Sequence, residues 1–324
     1  MKLLKERIIP AIILALLGLA FLIPVSLFSP KESSARIVSF IVTYLLMSVA
    51  FFELFKAHRM KWYFALLFAI ITSVIVIFPL ESFKSLNSIG NSNDSINSLQ
   101  NFSKLNNQTQ NSVIYSFIQI FARDFYTPII LVFVSLSFFA LEYLTKTQIT
   151  LKDRLWRALF IFVTLYIMSM AIKTLNLYIT FKYQYWLTAL LIPVIHDTFG
   201  FFGGKYFGKK FIKVPLAPII SPKKTWEGFI VGVGGAMIAT AGLTFGFNLF
   251  QTQNQIIKYV IQVLFVIAAP FIAAIGDLYF SLIKRMNGIK DYSKIFVGHG
   301  GFLDRFDGLL FTLFLMFLLT MFIQ

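Results

Sequence analysis

The sequence predicts an all-α integral membrane protein that crosses a bilayer many times. Three observations lead there. Hydrophobic residues fill 58% of the 324 positions and charged residues only 13%, whereas a soluble chain carries about 25% charge. The apolar residues come in long runs with short polar breaks, each run near the ~20 residues a helix needs to cross ~30 Å of hydrocarbon. No stretch alternates apolar and polar residues as the strands of a membrane β-barrel do. Cysteine is absent, which excludes disulfides and thiolate metal sites.

About nine spans follow in order, at residues 8–28, 37–55, 62–80, 128–144, 155–172, 185–203, 228–250, 259–282 and 306–323. Lys2, Lys5 and Arg7 precede the first run, which is long for a signal-peptide core and has no small-x-small cleavage site before Pro30, so it is expected to stay as a span. With the N-terminus in the cytoplasm and the spans alternating, most of the 29 lysines and arginines fall on the inner side. That bias predicts a cytoplasmic N-terminus and an extracellular C-terminus, in the plasma membrane. The net charge of +15 would suggest nucleic acid for a soluble protein. Here basic residues at helix ends set topology and meet anionic lipid, so membrane lipid is the expected partner and nucleic acid is not.

One break is long, at 81–124. Its middle, 87–111, is rich in Asn, Ser and Gln and cannot bury enough apolar surface to order itself. Residues 113–122 read as a helix on the outer surface. The chain reads as a single membrane domain over 1–324, with scaffold spans and the external loop in 1–180 and the chemistry in 181–324.

The acidic residues after position 160 are Asp197, Glu227, Asp277, Asp291, Asp304 and Asp307. They lie in two polar inner segments or on helices feeding them. An ionisable residue inside a span costs roughly 2.5–3.5 kcal/mol on insertion scales, so it needs a partner or a purpose. For Asp197, a buried Asp–Lys pair that only fixes packing remains an equal alternative. Asp277 has more telling neighbours. On a helix Asp277, Ser281, Lys284 and Gly288 share one face, offering a carboxylate, a hydroxyl and an ammonium in a row, with a glycine to let a ligand approach.

Asp304 and Asp307 sit three apart at the start of the ninth span and also share a face. Two such carboxylates suit Mg²⁺ when substrate phosphates complete its shell, and the helix N-terminus offers N–H groups to an anion. An N-terminal cap accounts for one aspartate, not for two together with Arg305 and Asp277. Upstream, the cationic segment 203–228 holds Lys205, Lys209, Lys210 and Lys213, which headgroup attraction also explains. Its end reads Ser221-Pro222-Lys223-Lys224-Thr225-Trp226-Glu227-Gly228. Hydroxyls and lysines just before a helix suit a polyphosphate, although the Walker A spacing is absent.

At these residues the chain resembles the phosphatidate cytidylyltransferases, or CDP-diacylglycerol synthases. Their signature is S-x-aliphatic-K-R, then K-D, then H-G-G-x-x-D-R-x-D. Here it reads Ser281-Leu282-Ile283-Lys284-Arg285, Lys290-Asp291, and His299-Gly300-Gly301-Phe302-Leu303-Asp304-Arg305-Phe306-Asp307. The S-P-K-K-T-W-E-G element and Asp197-Thr198 with Phe207-Gly208-Lys209 are similar to two further family motifs. Val297 stands where the family usually has proline.

The resemblance implies the reaction CTP + phosphatidate → CDP-diacylglycerol + pyrophosphate, with Mg²⁺ and a monovalent cation such as K⁺. It implies Asp277, Asp304 and Asp307 as metal ligands and, with Lys284, as the catalytic set. Ser221, Lys223 and Lys224 would hold the triphosphate. Lys284, Arg285 and Arg305 would neutralise the lipid phosphate or pyrophosphate, with Ser281 and Asp197 also lining the substrate site. His299, Gly300 and Gly301 would shape the turn beside it. Phosphatidate would enter from the inner leaflet, and a homodimer is expected. Rival readings are cytidylyl transfer to another lipid phosphate, a lipid transporter or flippase, and a scaffold. A transporter is expected to carry charges near the midplane of repeated halves, and a scaffold leaves the clustered aspartates unexplained.

Overall fold

The computed structural model describes residues 9–30, 32–80, 107–145, 149–295 and 300–323. In chain order the elements are α1 (Ile9–Phe28), α2 (Ser33–Ala57), α3 (Trp62–Ser73) with a 3-10 turn (Val74–Ile77), α4 (Asn107–Ala122), α5 (Tyr126–Thr145), α6 (Leu151–Phe181), α7 (Tyr183–Phe207), β1 (Pro215–Ala217), β2 (Ser221–Thr225), α8 (Trp226–Gly246), α9 (Gln255–Met286) and α10 (Leu303–Met321). Among the described residues the only sheet is the β1–β2 hairpin.

Among the described residues, six helices are long and apolar enough to cross a membrane: α2, α5, α6, α7, α8 and α9. The chain is therefore an all-α polytopic membrane protein. Among the described residues, the stretches Gly18–Phe28 and Trp62–Ile77 are apolar but shorter, and α10 opens with Asp304, Arg305 and Asp307. Six full-length candidates thus stand against the expected nine or so.

Three helices differ from expectation for identifiable reasons. The third span was expected to reach residue 80, but α3 ends at Ser73 and tightens into 3-10 geometry. The run Val74-Ile75-Val76-Ile77 is β-branched throughout, which weakens an α-helix, and Pro79 forbids continuation. The fifth span was expected to stop before Lys173, yet α6 runs on to Phe181. Lys173 is buried, but its Nζ donates to Thr127 Oγ1 at 2.6 Å and to Asp124 Oδ2 at 3.3 Å. The charge is matched, so the helix need not end there. The helix expected at 113–122 starts earlier, at Asn107. Ile114, Tyr115, Ile118 and Phe121 are buried on one face, while Ser112 and Ser116 are exposed. Residues 87–106 of the expected polar loop lie outside the described residues.

Polar groups fix α2 against α6. Ser39 and Thr43 reach Asn176 Oδ1 at 2.9 and 3.3 Å. Such bonds hold helices together where lipid gives no hydrophobic drive. Helices α7 and α8 meet almost backbone to backbone. A Cβ on Gly228 would sit 2.8 Å from Gly200 O, and one on Gly232 would sit 2.8 Å from His196 O. Glycine is required at both, and the close crossing sets one wall of the cavity described next.

Candidate active site

The segment between α7 and α8 folds as an antiparallel hairpin, with Pro215 opposite Thr225 and Ala217 opposite Ser221. Part of its motif is structural. Thr225 caps α8, its Oγ1 accepting from Gly228 N at 3.1 Å, a standard N-cap bond. Glu227 Oε1 accepts from Phe211 N at 3.0 Å and Ile212 N at 2.8 Å, pinning the chain that leaves α7. With Thr225 and Glu227 occupied in this way, Lys223 and Lys224 are presented to a cavity of about 480 Å³ between α7, α8, α9 and the hairpin. That size lies within the usual range for ligand sites, about 300–1,000 Å³.

His196, Asp197 and Lys205 of α7, Phe229 of α8 and Asp277 of α9 also line it. Asp197 is mostly exposed and lies 3.3 Å from His196 Nδ1. Asp277 Oδ2 accepts from Lys224 Nζ, and its Oδ1 lies 3.4 Å from Ser281 Oγ. The hairpin therefore docks on α9 through an ion pair at the cavity floor. Gly276 explains why Asp277 lies close to α10, since a Cβ there would sit 2.8 Å from Asp307 O.

The expected face of α9 is formed for Asp277 and Ser281, but not for Gly288. The helix ends at Met286, and Gly288 adopts φ +67° in the turn beyond, where Ile289 N bonds Lys284 O at 3.0 Å. Glycine terminates the helix here and does not admit a ligand. Lys284 turns to α10, its Nζ 2.6 Å from Asp304 Oδ1.

Asp304 Oδ2 accepts from Tyr292 N at 2.9 Å and Gly301 N at 2.8 Å. Gly300 has φ +84°, and a Cβ there would press on Asp304 Oδ2 at 2.7 Å. Asp307, one turn on, accepts from Gly308 N at 2.7 Å, and its backbone packs against Gly276, next to Asp277. The three aspartates thus divide. Asp277 has its oxygens at Lys224 and Ser281, Asp304 has its oxygens at Lys284, Tyr292 and Gly301, and Asp307 accepts from the backbone N–H of Gly308 through Oδ1. Among the described residues, no three His, Asp or Glu side chains form a group able to hold a metal ion by themselves.

The expectation that the α10 N-terminus offers N–H groups to a substrate anion is corrected. Phe302 N and Leu303 N donate to Glu53 Oε1 and Oε2 of α2 at 2.9 and 2.8 Å. Glu53 was not picked out from the sequence, although an acid inside an apolar run was a signal that it needed partners.

The remaining expected residues fall as follows. Arg285 is exposed and donates to Ile220 O at 3.2 Å and Ile289 O at 3.3 Å, bracing the hairpin. Arg305 is exposed on α10. Ser221 opens β2 and is not part of the cavity lining. His299 and Val297 lie outside the described residues.

The profile of the Cytidylyltransferase family matches residues 4–323. The chain belongs to this family. It is 39% identical over 143 residues to a phosphatidate cytidylyltransferase of Rickettsia conorii, and 41% identical over 120 residues to one of Aquifex aeolicus. It is 43% identical over 116 residues to phosphatidate cytidylyltransferase 4, chloroplastic, of Arabidopsis thaliana. These stretches cover 43%, 36% and 36% of this chain and 59%, 40% and 27% of the relatives, so each match spans less than two thirds of the relative's length.

In this cytidylyltransferase family member the cations of the site fall into two sets. Lys224 and Lys284 are matched by Asp277 and Asp304, while Lys205 and Lys223 are exposed at the cavity. Tyr292, its ring centre 5.5 Å from Lys284 Nζ, is buried, and burial pushes its phenol well above the usual range. It stays a neutral donor, bonding Phe280 O at 3.0 Å.

Proposed function

We propose that this chain transfers a cytidylyl group from CTP to phosphatidate, giving CDP-diacylglycerol and pyrophosphate. The observation that carries the reading is the cavity at one end of the helical bundle, with exposed lysines at its edge and the Lys224–Asp277 pair on its floor. Family membership and the names of the relatives support it.

The phosphate of phosphatidate is anionic at neutral pH and needs no strong base. An oxygen of that phosphate bonds to the α-phosphorus of CTP, the bond from that phosphorus to the β-phosphate oxygen breaks, and pyrophosphate leaves with the electron pair. The obstacle is repulsion between two anions. Lys205 and Lys223 lower it at the cavity edge. Lys224 and Lys284, held in place by their carboxylates, offer fixed charge where the phosphates meet, and fixed charge needs little reorganisation during reaction. Asp304 orients Lys284, and Arg285 holds the hairpin that carries Lys223 and Lys224.

Mg²⁺ fits the residues present. An ammonium already sits on Asp277 Oδ2, so that oxygen accepts a cation, Asp197 lines the same cavity, and the Asp307 backbone packs against Gly276, next to Asp277. Asp277 and Asp307 would hold the ion, with substrate phosphates supplying further oxygens, as Mg²⁺ prefers. To do so Asp277 would release Lys224 to the phosphates, and Asp304 would join them only by giving up bonds to Lys284, Tyr292 or Gly301. When bound, the ion would draw charge from the phosphates. A K⁺ requirement and a homodimer, both implied by the resemblance, belong to the same proposal.

With about nine spans and the N-terminus in the cytoplasm, the cavity opens at the cytoplasmic face of the plasma membrane, and phosphatidate reaches it from the inner leaflet. Incubating the purified protein with Mg²⁺, phosphatidate and each nucleoside triphosphate in turn tests the reading. Liponucleotide is expected with CTP. A protein that makes none, or that prefers another triphosphate, would refute it.

A further inference from the structure

The α2 carboxylate of Glu53 is 1% exposed and, among the described residues, pairs with no lysine or arginine. Three donors from the segment before and at the start of α10 meet it instead. Ser293 Oγ bonds Oε1 at 2.5 Å, Phe302 N bonds Oε1 at 2.9 Å and Leu303 N bonds Oε2 at 2.8 Å. Gly301 completes the fit, since a Cβ there would lie 2.7 Å from Oε1. Asp304 holds the neighbouring residues of the same segment, Tyr292 N and Gly301 N.

Two carboxylates therefore clasp both ends of the segment 292–303. Tyr292 and Gly301 go to Asp304, and Ser293, Phe302 and Leu303 go to Glu53. Nearby, Arg59 Nε donates to Asn287 O at 3.2 Å, so α2 and the residues just after it grip the chain at a second place.

We propose that Glu53 is a positioning residue for the cytidylyl-transfer site, a role that rests on the function proposed above. It anchors the start of α10, and through that anchor it sets where Asp304 presents its oxygen to Lys284 and where Asp307 faces Asp277. A residue from the scaffold half of the chain thus fixes the geometry of the catalytic half. The carboxylate form is needed because two backbone N–H groups and a hydroxyl require acceptors on both oxygens. A glutamine offers one acceptor and turns an NH₂ toward a donor.

The test compares wild-type protein with Glu53→Gln in lipid nanodiscs, by steady-state kinetics and by hydrogen–deuterium exchange. Glu142→Gln is the control, because Glu142 is also a buried acid of a spanning helix but is held by Arg157. In Glu53→Gln, kcat is expected to fall at least about tenfold, the equivalent of one lost charge-assisted hydrogen bond. KM for CTP should stay within about twofold, because Lys205 and Lys223 are untouched. Exchange at residues 300–303 should quicken in Glu53→Gln and not in Glu142→Gln.

If Glu53→Gln does not accumulate, Ser293→Ala and Gly301→Ala perturb the same carboxylate from the other side and should show the same signature. Wild-type kcat with unchanged exchange overturns the proposal, as does a loss confined to KM. If the wild-type protein makes no liponucleotide, the functional reading fails, and the exchange at residues 300–303 alone decides the positioning role.

Discussion

Lys284 Nζ lies 2.6 Å from Asp304 Oδ1, joining the C-terminal end of α9 to the first turn of α10. Both side chains are largely shielded, at 11% and 6% exposure. Removing one partner of a buried pair leaves an uncompensated charge, at about 3–5 kcal/mol. Lys284→Met and Asp304→Asn should therefore each lower the melting temperature. The double variant should recover part of the stability but none of the turnover, because the charge that meets the phosphates is gone. Melting curves and initial rates on the three variants check this. Additive loss of stability in the double variant would show that the two residues are not coupled.

The hairpin lysines should affect the nucleotide more than the lipid. Lys223 is exposed at the cavity, so Lys223→Ala should raise KM for CTP and leave melting unchanged. Lys224 also holds Asp277, so adding Lys224→Ala should lower kcat as well. Equal increases in the CTP and phosphatidate requirements would contradict this assignment.

The α7–α8 crossing gives a packing test independent of activity. At Gly232 an added Cβ would meet His196 O at 2.8 Å, whereas at Gly234 nothing lies within 4 Å. Gly232→Ala should destabilise by about 1–3 kcal/mol through overpacking. Gly234→Ala should be neutral or gain up to about 1 kcal/mol from helix propensity. Thermal melts of both variants decide it.

Metal removal should separate the aspartates. Chelation should abolish turnover, and added Mg²⁺ should restore it. Asp307→Asn should shift the Mg²⁺ dependence of both activity and thermal stability. A protein that turns over fully in chelator would exclude the Mg²⁺ requirement.

Much of this arrangement was legible in the sequence, because helix periodicity is local. Asp277 and Ser281, four apart, do share a face, and the apolar runs did become helices. The hairpin was not legible. β1 is three residues long and reads Pro-Leu-Ala, too short to show an alternation. Lys173 misled the reading of α6, since a lone lysine marks the end of a span unless its partners are known, and Asp124 lies 49 positions away. Glu53 was hidden for the same reason. Its donors are about 250 residues distant, and its own helix carries Arg36 far along the chain and the exposed Lys56, neither of which pairs with it. Gly300 and Gly301 were expected to shape the turn beside the substrate, and each also makes room for a carboxylate of the protein itself.

The central claim is that the cavity beside Asp277 joins the α-phosphate of CTP to phosphatidate. The most direct measurement gives purified protein phosphatidate, Mg²⁺ and CTP labelled on either the α- or the γ-phosphate, and follows label into the lipid phase. The account predicts that α-label enters lipid, that γ-label stays in the aqueous phase as pyrophosphate, and that Asp277→Asn, still inserted, transfers neither. Transfer of γ-label to lipid, or full α-label transfer by Asp277→Asn, would contradict it.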